Sequence, residues 1–240
     1  MNTAVIVLSG GGLKSAAVAA RLAPQHQLVF VHAAYGQRSA AMELQALRAL
    51  VPVYPGARLV ALELPHLMRV QEQLEGAERG PGTAFTSGVV GSHVLSPTSL
   101  RGLLPVLLQA AVQCAWRIGA TQVMTGLSRL ADTTHLGLPG NEGRPDRLRE
   151  FLHAYQIMLD SCSASRHGVA IESPFVDMAY PDIIRLAAHL ETPLDRTWTC
   201  DRGGSRPCGR CQPCTARAEA FVAAGLADPV LAIAAAGVLH

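Results

Sequence analysis

Five short apolar runs, at residues 3–8, 27–32, 58–62, 121–125 and 169–172, are interleaved with stretches of helical character at 14–23, 40–50, 103–118 and 146–161. Two further helical stretches, 180–190 and 216–224, close the pattern, with Pro181 in a first turn, where proline is tolerated. The first run, TAVIVL, shows no polar alternation, so it reads as a strand buried on both faces. Strand followed by helix, repeated, predicts a parallel α/β sheet flanked by helices. The 240 residues and 49% hydrophobic content suffice for one sizeable core.

Two segments interrupt this alternation. Residues 65–99 are rich in Gly, Ser, Thr and Pro and lose periodicity, which suggests either a lid or a plain surface insertion. Residues 126–145 form a second loop, and 229–239 read as a packed terminal helix. Net charge is +2 with no basic run, which argues against direct nucleic-acid binding. No stretch reaches the ~18 apolar residues of a membrane span. With no targeting segment at residues 1–8, the expected location is the cytoplasm.

Cysteine usage is concentrated. Cys200, Cys208, Cys211 and Cys214 fall within fifteen residues, spaced x7, x2 and x2. Such crowding in a cytosolic chain suggests a metal rather than disulfides. Four thiolates on a short loop bearing Gly203, Gly204 and Gly209 suit one tetrahedral zinc in a closed structural site, with Arg202, Arg206 and Arg210 offsetting the charge. An iron–sulfur cluster, a redox dithiol and chance are the rival readings. Cys114 and Cys162 fall on predicted helices and read as buried small hydrophobes.

Between the first strand and first helix lies Leu8-Ser-Gly-Gly-Gly-Leu-Lys-Ser15. Backbone N–H groups in such a loop, with a helix N-terminus behind them, can hold phosphate. The spacing fits neither GxxxxGK[ST] nor GxGxxG. A tight strand-to-helix turn is the plain alternative. Lys14 is the sole lysine, against nineteen arginines. A compact ammonium at the head of the loop suits a phosphate; its plain alternative is a loop cap. Asp146 and Glu150 stand four apart, on one helix face, which taken alone reads as an ordinary solvated face. His32 ends a predicted strand beside the loop, while the other histidines show no metal spacing.

Taken together, these pieces resemble the 7-cyano-7-deazaguanine synthases (QueC-like enzymes). The resemblance spans nearly the whole chain. Its most specific parts are Tyr35-Gly36-Gln37-Arg38, Pro145-Asp146 with Glu150-Phe151, TWTCDRGGSRPCGRCQPCTARAEAF at 197–221, and AGLADP at 224–229. It implies a PP-loop ATP pyrophosphatase with an adenine nucleotide α-hydrolase-like, Rossmann-like fold and a C-terminal four-cysteine zinc segment. On this reading residues 1–240 form one domain, with a nucleotide-binding part at 1–195 and the zinc segment and closing helix at 196–225. The resemblance implies ATP and Mg2+ at Ser9, Gly10, Gly11, Gly12, Lys14 and Ser15. Lys14, Ser15 and Arg101 would be catalytic. Tyr35, Gln37, Arg38, Asp146, Glu150 and Phe151 would take a 7-deazaguanine, and Cys200, Cys208, Cys211 and Cys214 would hold structural Zn2+. It also implies a homodimer.

The family's enzymes adenylate 7-carboxy-7-deazaguanine, form an amide with ammonia, then activate the amide with a second ATP to give the nitrile. Here the loop departs from the family's SGGxD[ST]: Leu13 replaces the Asp and Lys14 the hydroxyl, with Ser15 as the nearest hydroxyl. The family's arginine–asparagine pair becomes Arg101-Gly102, and the lysine of its "LTKxE" helix start becomes Tyr180. Lys14 would then restore, from the opposite side of the site, the cation that Tyr180 has lost. These departures favour adenylation and amide formation with an altered amine acceptor, such as a partner protein in anti-phage defence. The alternatives are the ordinary nitrile synthase of queuosine biosynthesis and an inactive deazaguanine- or nucleotide-binding protein.

Overall fold

The computed structural model describes residues 3–65, 67, 102–128, 147–162 and 168–230. The segments 68–101 and 129–146, and with them most of the two loops singled out above, lie outside the described residues, as does 231–240. Five strands form one sheet: β1 (Ala4–Leu8), β2 (Gln27–Ala34), β3 (Arg58–Glu63), β4 (Gln122–Thr125) and β5 (Ala170–Glu172). Their order is β3-β2-β1-β4-β5, and every pairing is parallel. The helices are α1 (Leu13–Leu22), α2 (Ala40–Leu50), α3 (Leu103–Ile118), α4 (Arg147–Cys162), α5 (Tyr180–His189) and α6 (Gln212–Ala224).

Parallel strands need crossovers, and the crossovers cover both faces. On one face Val5, Val7 and Phe30 pack with Leu13, Ala17, Leu47, Ile183 and Phe221, from α1, α2, α5 and α6. On the other, Ile6, Val29, Val31 and Val123 pack with Leu104, Leu108, Val112, Leu148 and Leu159, from α3 and α4. The apolar composition of β1 and β2 follows from this double burial.

The chain runs outward from β1 to β2 and β3, then crosses back to lay β4 on the other side of β1. Connections therefore leave β1 and β4 in opposite directions. Such a switch point opens a crevice at the carboxyl ends of the strands, where ligands of open α/β sheets bind. Register places Leu8 between Val31 and Thr125. Ser9, His32 and Gly126 consequently meet at that crevice. Gly126 is required there, because a β-carbon on it would stand 2.8 Å from the Lys14 carbonyl carbon and the Ser15 nitrogen.

Two expectations shift. The closing helix starts at Gln212, four residues before Ala216, because Pro213 sits in its first turn, where no amide hydrogen is needed. Cys214 is thus helical rather than part of the loop. Cys162, expected to be buried, is the exposed last residue of α4, beyond the reach of the core, while Cys114 is half-buried.

Candidate functional site

The glycine loop is closed by its own serines. Ser9 Oγ and Ser15 Oγ share a 2.6 Å hydrogen bond, Gly11 N–H donates to Ser9 Oγ at 3.1 Å, and Ser15 Oγ donates to the Gly12 carbonyl at 3.0 Å. Ser15 is 7% exposed, so its hydroxyl is committed to holding the loop. The first turn of α1 carries no acidic residue, and its N-cap, Gly12, has no side chain to cap it. Unopposed amides at that end favour an anion.

Above the loop lies a cavity of about 340 Å3, within the range of small-molecule sites. It is lined by Ser9, Gly10, Gly12, Lys14 and Ser15 of the loop and by Leu8, Tyr35, Leu104, Leu107 and Leu127. Polar and cationic groups therefore share the cavity with apolar side chains and with Tyr35, Tyr180 and Trp198.

Lys14 and Tyr180 are in direct contact. The Lys14 ammonium stands 4.5 Å from the centroid of the Tyr180 ring, at the first residue of α5. Such a cation–π contact fixes the ammonium over the ring. The expectation that Lys14 acts from the opposite side of the site gives way to this placement: α1 and α5 share a core, which brings both residues to one wall. Leu13, at the family's Asp position, is 1% exposed and packed into the core.

The YGQR turn is held from within. Gln37 Oε1 accepts from Tyr35 N–H at 2.8 Å, and its Nε2 donates to the Ala33 carbonyl at 3.1 Å and to Glu43 Oε2 at 3.0 Å. Gln37 is 5% exposed, and this network orders the turn. Tyr35 packs against Leu103 with its ring at the cavity; burial, then the charges of Glu43 and Asp201, push its hydroxyl well above the ordinary phenol range. Arg38 is exposed, and its carbonyl abuts Gly203 of the cysteine segment.

Sequence reasoning missed Glu43, on α2. Besides Gln37, it accepts from Ser39 Oγ at 2.5 Å, and its Oε2 is 3.8 Å from His32 Nδ1. Burial raises its pKa, opposed by those two hydrogen bonds and by His32, and reinforced by Asp201. His32, which lies inside β2 rather than at its end, places Nδ1 3.3 Å from the Ser9 carbonyl. Its Nε2 and the hydroxyl of Thr125 are buried without partners among the described residues, and both side chains line the cavity. The one available signal for Glu43 was a lone carboxylate in AAMELQAL, four residues after a serine.

The remaining expected residues are not brought to the described cavity wall. Arg101 and Asp146 lie outside the described residues. Glu150 is exposed on the first turn of α4. The Phe151 ring lies tilted against Tyr155, 5.9 Å between centroids, and lines a separate apolar groove between α3 and α4.

The four cysteines converge. Their Sγ atoms lie within 4.8 Å of one another, and those of Cys200 and Cys211 are 3.9 Å apart. Backbone N–H groups of Arg202, Cys208 and Cys211 point at sulfurs at 3.3–3.4 Å. These donors favour thiolates, the form a metal binds. Burial holds the Cys200 and Cys214 thiols high. Cys208 feels burial too, yet amide hydrogens of Arg210 and Cys211 and the neighbouring thiols bring it down to about 6.

This segment is also a clamp on the glycine loop. Trp198 N–H donates to the Gly11 carbonyl at 2.9 Å, and Trp198 Nε1 donates to the Cys200 carbonyl at 2.8 Å. Arg217, 1% exposed, makes a two-pronged pair with Asp228 at 2.7 and 2.9 Å. It also donates to Thr197 Oγ1, Thr199 Oγ1 and the Leu194 carbonyl. Thr197, Arg217 and Asp228 of the motifs TWTC, CTARAEAF and AGLADP are therefore one bonded unit.

A glycine-loop crevice at the switch point of a parallel sheet, clamped by a four-cysteine segment, defines a nucleotide-handling α/β protein. The family model described as queuosine biosynthesis protein QueC matches residues 3–225, and the chain belongs to that family. It is accordingly a QueC-like, ATP-using enzyme of the PP-loop class. The chain is similar to the 7-cyano-7-deazaguanine synthase of Rhizobium meliloti, at 31% identity over 93% of this chain and 89% of the relative. It is also similar to that of Allorhizobium ampelinum, at 29% identity over 94% and 90%. Among solved structures, NMN synthetase from Francisella tularensis shares the fold, with a TM-score of 0.50 and 11% identity over 96% of this chain and 81% of that one. Among the described residues no helix is long and apolar enough to cross a membrane.

Proposed function

We propose that this chain activates the carboxylate of 7-carboxy-7-deazaguanine with ATP and carries it through the amide to the nitrile. The observation that supports activity despite the altered loop is the Lys14 ammonium, fixed over Tyr180 beside the glycine amides. The amides of Gly10 and Gly12 and the α1 N-terminus would take the phosphates, with Lys14 stabilising charge as pyrophosphate leaves. In the first step a substrate carboxylate oxygen bonds to the α-phosphorus, and the bond to pyrophosphate breaks. Ammonia then adds to the acyl carbon, loses a proton and expels AMP, leaving the amide. Activation of the amide oxygen by a second ATP, again releasing pyrophosphate, and loss of AMP with two protons give the nitrile.

Ser9 and Ser15 hold the loop for this chemistry. Tyr35, which lines the cavity, offers the deazaguanine an aromatic face, and Gln37 positions Tyr35 rather than meeting substrate. Arg101 and Asp146 keep the roles the family resemblance implies, whereas Arg38, Glu150 and Phe151 do not line the described cavity and are assigned none. The name shared by the curated relatives favours ammonia as the acceptor; a protein acceptor and a defence role draw no support from them.

The cysteine cluster fits zinc. A Zn–S bond of about 2.3 Å in tetrahedral geometry separates sulfurs by roughly 3.8 Å, matching the 3.9 Å between Cys200 and Cys211. A four-iron cluster interposes a cube of atoms and spreads its thiolates farther. The zinc would be structural, tying Cys200 to the start of α6 and so holding Trp198 on the loop.

The test is a product assay. Protein, Mg-ATP, 7-carboxy-7-deazaguanine and ammonia, read by mass spectrometry, should give AMP and the nitrile. Amide accumulation would restrict the activity to the first half. No AMP with ammonia would overturn the proposal in favour of a binding protein.

A further inference from the structure

A divalent cation held with nucleotide phosphates takes one or two carboxylates, the phosphate oxygens and several waters. The glycine loop itself supplies no carboxylate, because Leu13 is buried in the core. Among the described residues lining the cavity, Glu43 is the only carboxylate. It reaches the loop from α2, across Gly10: its Oε2 lies 3.5 Å from where a β-carbon on Gly10 would stand. Ser39 and Gln37 each donate to a different oxygen of Glu43, which orients the carboxylate. A carboxylate has about four lone-pair sites, so accepting capacity remains on each oxygen.

His32 supplies an independent pointer to a ligand. The Ser9 carbonyl can only accept, so the 3.3 Å contact puts a proton on His32 Nδ1, and in the neutral ring this leaves Nε2 a bare acceptor. That acceptor is in a side chain 2% exposed, lines the same cavity and has no protein partner among the described residues. A water on a divalent cation is a strong hydrogen-bond donor of the kind it lacks.

We propose that Glu43 takes the place of the loop's missing acid and is a ligand through which a divalent cation is held with the nucleotide phosphates, with His32 Nε2 accepting from one of that cation's waters. The inference rests on the nucleotide reading of the cavity. Glu43 is then a cation-binding residue contributed by a different element from the one the family motif names.

The test uses the intact, zinc-loaded chain with Mn2+ as the probe and α,β-methylene ATP as a non-reacting nucleotide. Free Mn2+ is followed by its electron paramagnetic resonance signal, and nucleotide binding is measured with and without added Mn2+. Wild type should bind Mn2+ with the analogue. Glu43→Gln should weaken that Mn2+ binding at least tenfold, while leaving analogue binding without added cation unchanged or tighter. Glu43→Asp, with a shorter but charged side chain, should lose less, and circular dichroism should show both variants folded. Mn2+ binding by Glu43→Gln at wild-type affinity overturns the proposal alone. Equal weakening with and without Mn2+ also overturns it, by assigning Glu43 a purely structural role. Failure of wild type to bind the analogue at all overturns the nucleotide reading and this proposal with it.

Discussion

The cysteine segment and the glycine loop are joined by the hydrogen bond from Trp198 N–H to the Gly11 carbonyl, yet they are built on opposite plans. The cysteine segment carries its four thiols within residues 200–214, so its spacing alone announces them. The loop keeps its glycines but draws its chemistry from distant elements: Lys14 rests on Tyr180 of α5, and Glu43 of α2 faces Gly10. A cluster of thiols is defined by short-range spacing. A crevice at strand ends is filled by whichever side chains the crossovers deliver, so a changed loop can be completed from elsewhere without leaving a local motif.

The contrast predicts different failures on the two sides. Stripping metal from the cysteine cluster should have the largest effect, because binding energy at a structural zinc is folding energy, about 10–16 kcal/mol in small zinc domains. Chelation should expose four titratable thiols and lower the thermal midpoint sharply; an unchanged midpoint would mean that the cluster does not depend on metal. Next comes Arg217→Ala, which leaves Asp228 charged and buried. The two partners are 2% and 6% exposed, so the loss should be about 3–5 kcal/mol in urea unfolding. A double variant with Asp228→Ala should cost less than the two single variants added together.

On the loop side, Lys14→Ala should lower AMP formation about 10²- to 10³-fold, the usual range for removing one preorganised charge stabiliser. Folding should change by about 1–2 kcal/mol, since a cation–π contact between two half-buried side chains falls between the exposed and the desolvated case. Unchanged turnover would remove Lys14 from the reaction. A last effect joins the cysteine segment to the YGQR turn beside the loop. Gly203 has φ +65°, and a β-carbon there would meet the Arg38 carbonyl oxygen at 2.1 Å. Gly203→Ala should cost at least about 1–2 kcal/mol from backbone conformation alone and raise KM for the deazaguanine by shifting the YGQR turn. A change in stability without a change in KM would separate the turn from substrate binding.

Much of the scaffold was readable because its signals are local. The helices at 40–50 and 103–118 have the expected bounds, and the first of the five strands is apolar throughout because both its faces are covered. Strand β2 runs two residues past His32 because Ala33 and Ala34 pair with Leu62 and Glu63, a register no local pattern reveals. In the site, Lys14 stood out as the only lysine, whereas its contact with Tyr180 depends on α1 packing against α5. Gln37 was visible as part of YGQR, but its amide is spent on Tyr35, Ala33 and Glu43 once the turn closes. Glu43 carried almost no signal, since a carboxylate early in a helix is ordinarily a solvated one.

In the proposed function, the altered loop is completed by a cation at the start of α1 in place of one at the start of α5. The most direct measurement is AMP formation by Lys14→Ser combined with Tyr180→Lys, which returns both positions to the family's residue types. AMP release from Mg-ATP and 7-carboxy-7-deazaguanine should be lost in Lys14→Ser and recover at least tenfold when Tyr180→Lys is added. A double variant as inactive as Lys14→Ser, though folded and zinc-loaded, would contradict the exchange.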